Sequence, residues 1–153
     1  MIKVKKLNKN AIMPRRGREG DACFDLFTVG IAEVGQFETL VIPTGIAIEL
    51  PANYEAEIRP RSGISLKGVN GLLHSGEGGF FNCTIVQGTI DSNYRGEIGI
   101  IFKNNTAYDF IIPQGTKLAQ MKINEVPQVE LLEVEELTET NRGDKGFGSS
   151  GNY

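Results

Sequence analysis

Two stretches of this 153-residue chain carry the side chains that suit an anion. Arg61-Ser62-Gly63 and the tail from Arg142-Gly143 through Gly148-Ser149-Ser150-Gly151 each join an arginine to flexible backbone and hydroxyl donors. Successive backbone N–H groups in such segments converge on phosphate oxygens. Each also has a structural reading: Pro60 to Gly63 as a turn that ends a strand, and the tail as a solvated terminus. A P-loop is excluded, because no G-x-x-x-x-G-K-[ST] occurs. A third stretch, GTIDSNYRGEIGI from Gly88 to Ile100, puts one carboxylate, Asp91, between an apolar run and a tyrosine, Tyr94. On local sequence alone Asp91 is a turn residue of Asp-Ser-Asn, with Tyr94 a rim or core aromatic and Arg95 a solvated charge.

Short strands must position these groups. Glycine (19) and proline (6) punctuate the chain, and no segment sustains helical periodicity over about 10 to 12 residues. VIPTGIAIELP, Val41 to Pro51, has the strand period, with Ile46, Ile48 and Leu50 alternating with Ala47 and Glu49. NYEAEIRP, Asn53 to Pro60, reads as the next strand. DFIIPQGTKLAQMKI, Asp109 to Ile123, reads as hairpin-like, with Pro113, Gln114 and Gly115 at its turn. VELLEVEEL, Val129 to Leu137, is open between strand and helix; its β-branched residues favour a strand. GVNGLLHSGEGGFFN, Gly68 to Asn82, and TETNRGDKGFGSSGNY, Thr138 to Tyr153, are glycine-rich and are expected to be irregular. Many short strands with regular turns imply an all-β barrel or jelly roll.

Composition sets the bounds. One domain of this length buries about two thirds of its unfolded surface. No apolar run approaches the roughly 20 residues of a membrane span, so no membrane role is expected. MIKVKKLNKN lacks the apolar stretch of a signal peptide, which makes an intracellular location the expectation. Two cysteines, Cys23 and Cys83, and a single His74 give neither a disulfide framework nor a zinc set, so any metal is hard and oxygen-bound, such as magnesium. A net charge of −3 offers no footprint for polymeric nucleic acid.

Five stretches in order resemble the five motifs of the trimeric deoxyuridine triphosphatase (dUTPase) family: DACFDLF from Asp21, PRSGISLKG from Pro60, GTIDSNYRGEIGI from Gly88, GTKLAQ from Gly115, and NRGDKGFGSSG from Asn141. IPTGIAIELP, Ile42 to Pro51, is similar to the stretch usual between the first two. The resemblance covers nearly the whole chain and implies a jelly-roll-like β-barrel over 1–137, with an inserted loop at about 69–82 and a flexible arm over 138–153 carrying the fifth motif. It implies hydrolysis of dUTP to dUMP and pyrophosphate, with magnesium, in a homotrimer whose sites are shared between subunits. That activity would limit uracil incorporation into DNA and supply dUMP for dTMP synthesis, in the cytoplasm or, for a viral chain, in an infected host cell.

By the same resemblance, Asp91 activates the water that attacks the α-phosphorus, and Tyr94 packs on the deoxyribose and leaves no room for a 2′-hydroxyl. Uracil is read by main chain of the hairpin, at Ile85, Gly88, Thr89, Ile90 and Gly99. Arg61, Ser62, Gly63 and Gln120 hold phosphates, and Asp25 contacts magnesium through water. In the arm, Arg142 pairs with the γ-phosphate, Phe147 stacks over uracil, and Gly148 and Ser149 add phosphate contacts. Cys23 and Lys145 stand where the family usually has glycine, and Ile85 stands where some members have asparagine. Leu72, Leu73, Phe80 and Phe81 of segment 71–81 have three readings: barrel packing, a subunit interface, or a docking surface for another protein. Packing leads. Two rivals are dCTP deaminase, which resembles dUTPase in fold, and a nucleotide-gated binding module.

Overall fold

The computed structural model describes residues 1–144 and 146. Among them the chain forms strands β1 (Lys3–Lys6), β2 (Cys23–Phe27), β3 (Ala32–Val34), β4 (Thr39–Pro43), β5 (Ile46–Glu49) and β6 (Tyr54–Pro60), a short helix α1 (Ser62–Lys67), then β7 (Val69–Leu72), β8 (Gly78–Phe81), β9 (Cys83–Ile85), β10 (Gly88–Ile90), β11 (Gly99–Asn104), β12 (Phe110–Ile112) and β13 (Lys117–Glu125). The strands pair antiparallel in four sheets: β1 with β5, the order β10-β6-β13-β2, the order β4-β11-β9, and the order β3-β12-β7-β8. The result is an all-β, jelly-roll-like barrel.

Alternation decides what lies inside. In β11, Ile100, Phe102 and Asn104 point inward and are fully buried, while Ile101 and Lys103 face out. Phe110 and Ile112 of β12 and Leu118 and Ala119 of β13 complete the centre, also at 0 % exposure. Phe81 stacks on Phe110 with ring centroids 4.2 Å apart. Burial of such side chains is worth about 1.5–3 kcal/mol each.

Several expectations change. The run from Val41 to Pro51 is two strands that separate at Thr44-Gly45, because Gly45 adopts φ 69° and the Thr44 hydroxyl donates to the Ile98 carbonyl at 2.6 Å. The turn at 113–116 exists, with the Thr116 N–H donating to the Pro113 carbonyl. It joins no hairpin, however: β12 pairs with β3 and β7, and β13 pairs with β2 and β6. Segment 69–82 is regular, β7 pairing with β8 from Val69↔Phe81 to Leu72↔Gly78. Val129 to Leu137 is neither strand nor helix; it has no sheet partner among the described residues, and Leu131 is 98 % exposed.

Helix α1 carried no sequence signal, since six residues are too few to show a period. It begins after Arg61, whose φ and ψ are extended, and stops at Gly68, whose φ of 86° and close approach to the Phe81 carbonyl exclude any Cβ. Only Ile64 of the helix is buried.

Candidate active site

A cleft of about 490 Å³ opens where β2, β13 and the start of α1 meet, and Asp25 lies in its wall. Its carboxylate is nearly enclosed, with 12 % of the side chain exposed, and is held by two cations. Arg61 Nε donates to Oδ1 at 3.1 Å, and Lys117 Nζ lies 3.0 Å from Oδ2. Arg61 is fastened a second time, its other guanidinium nitrogen donating to the Lys117 carbonyl at 3.2 Å. Ser62, Gly63 and Gln120 line the same cleft. Gln120 opposes Asp25 across the β13–β2 ladder, and its amide donates to the Pro60 carbonyl at 2.8 Å, which fixes the side chain beside Ser62.

Among the described residues, no group of three or more His, Cys, Asp or Glu side chains could hold a metal by itself. The carboxylates lining the cleft are those of Asp25 and Asp21, the latter accepting the Arg18 N–H at 2.8 Å. That set suits a hydrated magnesium ion carried on phosphates, which keeps its waters and needs one or two carboxylates.

The third-motif residues lie elsewhere. β10 is an edge strand on β6, in register Gly88↔Ile58 to Ile90↔Ala56, so Asp91 follows beside Glu55, with which it lines a separate depression of about 330 Å³. Asp25 is three strands away across this sheet, about 14 Å at the usual strand spacing, and four residues along it, about 13 Å. One chain therefore carries two candidate half-sites that do not meet.

Around Asp91 the turn is tightly tied. The Asp91 carbonyl accepts the Tyr94 N–H at 3.1 Å, and Arg95 donates to the carbonyls of Ser92 and Tyr94 at 2.6 and 2.8 Å. Arg95 thus braces the turn and is not merely a solvated charge. Tyr94 lays its ring against Gly96, where an added Cβ would come within 2.3 Å of the hydroxyl oxygen, and that hydroxyl donates to the Glu97 carbonyl at 3.0 Å. Glu97 in turn accepts the Gly45 N–H at 2.6 Å, joining this hairpin to the β4–β5 turn.

β10 pairs only with β6 among the described residues, which leaves the other edge of Gly88, Thr89 and Ile90 without a strand partner. After the Val86 N–H to Ile101 carbonyl bond the chain opens between β10 and β11, and Gly99 pairs outward with Pro43. Space in front of Gly88 is open, whereas Gly99 is a glycine for another reason, because Val41 would lie 2.3 Å from a Cβ there. Ile85 is buried at 4 % and paired with Phe102, so its side chain belongs to the core. Burial pushes the Cys83 thiol up to about 11, against the opposing pull of a hydrogen bond from the Val69 backbone. Arg142 is exposed; Phe147, Gly148 and Ser149 lie outside the described residues.

Sequence reasoning missed Lys117, Arg95 and Glu97 as members of these half-sites. Lys117 stood within the quoted GTKLAQ, but nothing in it showed which way the lysine points.

Comparison with known proteins supplies the remaining finding. A dUTPase family model matches residues 9–151. The deoxyuridine 5'-triphosphate nucleotidohydrolase of Gloeothece citriformis is 44 % identical over 150 residues, 98 % of this chain and 96 % of that one. Its namesake from Clostridium novyi is 45 % identical over 148 residues, 97 % and 96 % of the two chains. Among solved structures, the Staphylococcus bacteriophage 80alpha dUTPase with dUPNHPP superposes with a TM-score of 0.84 at 31 % identity, covering 99 % of this chain and 98 % of that one, and phage dUTPases are there described as controlling transfer of virulence genes. A mutant dUTPase from phage phi11 of S. aureus, described with a coordinated structural Mg(II) ion, gives a TM-score of 0.77 at 28 % identity over 91 % and 99 % of the chains. A match of this extent, on a barrel that places the first four motifs in two separate clusters, shows that the chain belongs to the dUTPase family.

Proposed function

We propose that the chain hydrolyses dUTP to dUMP and pyrophosphate, limiting uracil incorporation into DNA and supplying dUMP for dTMP synthesis. The observation that carries this reading is the division of labour between the clusters: a cationic cleft with Ser62 and Gln120 suits a polyphosphate, and an edge strand with no second strand partner among the described residues suits a base with alternating donors and acceptors.

Asp91 orients and deprotonates the water that attacks the α-phosphorus, a role worth about 10²- to 10⁴-fold in rate. The backbone of Gly88, Thr89, Ile90 and Gly99 reads uracil. Tyr94, fixed by its hydrogen bond to Glu97, closes the space a 2′-hydroxyl would need. Ser62, Gly63 and Gln120 hold phosphate oxygens, and Arg61 acts as a strut that keeps Asp25 in the wall. Asp25 would hold magnesium through its hydration shell, and the ion would supply charge neutralisation to the phosphates when bound. Arg142, Phe147, Gly148 and Ser149 of the arm close over the nucleotide and exclude water. Because Asp91 and Ser62 of one chain are remote, a working site unites the half-sites of neighbouring copies, as in a homotrimer.

Pyrophosphate release from dUTP, beside UTP, dCTP and dTTP, tests the reading. Selective turnover of dUTP that falls at least a hundredfold in Asp91→Asn is expected. Ammonia released from dCTP would replace it with deaminase chemistry, and dUTP binding without turnover would replace it with a nucleotide-gated module. A protein partner at 71–81 is a second reading, favoured by Phe80, 65 % exposed on β8 while its neighbour Phe81 packs inside.

A further inference from the structure

Lys117 and Gln120 both face the phosphate cleft although they stand three residues apart on one strand. Side chains alternate along a strand, so an odd spacing should send them to opposite faces. The ladder resolves this: β13 pairs Lys117 with Phe27 but Ala119 with Leu26, two steps on one strand against a single step on the other. The irregularity is a β-bulge at Leu118, and bulges beside functional sites re-aim a side chain. Leu118 and Ala119, consecutive and both fully buried, absorb the extra residue in the core. The bulge turns Lys117 into the cleft.

What it meets there is Asp25, a carboxylate whose charge would repel a triphosphate if left alone. Arg18, Arg61 and Lys117 against Asp21 and Asp25 leave this cleft with one net positive charge. The two cations on Asp25 are not equivalent. Arg61 is fastened at two points, to Oδ1 and to the Lys117 carbonyl, with 32 % of its side chain exposed. Lys117 forms one ion pair among the described residues, to Oδ2, and its side chain is 40 % exposed. A lysine ammonium is a point charge with rotatable donors on a flexible stem, able to change partner where a doubly held guanidinium cannot.

Resting on the dUTP reading above, we infer that Lys117 is a substrate-binding residue whose ammonium takes an oxygen of the polyphosphate, with Asp25 as the counterion that holds it in the cleft until the substrate arrives. The ligand class is a di- or triphosphate, and the bulge at Leu118 is the device that positions the lysine.

The test compares Lys117→Met, Lys117→Arg and the double variant Asp25→Asn/Lys117→Met with the unaltered protein. It reads KM and kcat for dUTP, and affinity for inorganic pyrophosphate measured without magnesium and for deoxyuridine. Lys117→Met should weaken dUTP and pyrophosphate about tenfold or more, as loss of a charge-assisted hydrogen bond implies. Deoxyuridine should stay within about twofold, since it offers no phosphate, and Lys117→Arg should recover most of the loss. If Lys117 serves only to neutralise Asp25, the double variant will regain pyrophosphate affinity, and the assignment falls. It falls equally if Lys117→Met weakens deoxyuridine as much as pyrophosphate, or leaves pyrophosphate unchanged. Absence of dUTP turnover by the unaltered protein would remove the functional reading itself, a result distinct from any of these.

Discussion

Cys83 begins β9 beside the apolar wall of the barrel, and its raised thiol pKa makes stability depend on alkali. The sign follows from linkage. An unfolded thiol ionises near its ordinary 9.0 while the folded one holds its proton to about 11, so the stabilising difference is whole below pH 9 and shrinks as pH rises toward 11. Urea midpoints should therefore fall between those limits in the unaltered protein and fall less in Cys83→Ala, when each variant is compared with its own midpoint at pH 8. At this scale Asp91, Ser62 and Gln120 were legible as candidates because motif order exposes residue types. Lys117 was not, because its direction depends on a bulge that alternation cannot foresee. Arg95 looked like a surface charge because its partners are backbone carbonyls, which leave no trace in sequence.

β11 shows how a polar residue can close an apolar element. Asn104 ends this strand at 0 % exposure, its amide donating to the carbonyls of Gly35 and Tyr108 and its oxygen accepting from the Thr106 N–H and hydroxyl, all at 2.8 Å. It thereby ties the β3–β4 turn to the loop before β12. Asn104→Leu would strand those partners, and chemical unfolding should show a loss of about 2–4 kcal/mol, against less than about 0.5 kcal/mol for exposed Lys103→Ala. Strand existence was readable for Tyr54 to Pro60 and for Ile46 to Glu49, where period and punctuation agree. Pairing was not: the turn after Ile112 has hairpin composition, yet the chain crosses there from one sheet to another. Val129 to Leu137 has strand composition and no partner strand among the described residues, and a strand without a partner is only an extended chain.

The molecule as a whole holds the β10 edge and the Asp25 cleft on different parts of one sheet, with 127–144 running exposed beyond β13. If sites form between copies, two inactive variants should complement each other. Asp91→Asn and Ser62→Ala, each nearly inactive alone, should regain up to about a quarter of native turnover after mixed refolding at equal amounts. No recovery would mean that each site is made within one chain. The bulge at Leu118 adds a consequence for how such chains can change length. One residue more or fewer between Gly115 and Gln120 would exchange inside for outside along the strand, driving the lysine into the core or an apolar side chain into the cleft. The tip between β7 and β8, at 73–77, carries no such parity, so insertions and deletions there leave both half-sites in register. The chain can drift in length at its hairpin tip, while the six residues of GTKLAQ must keep their count.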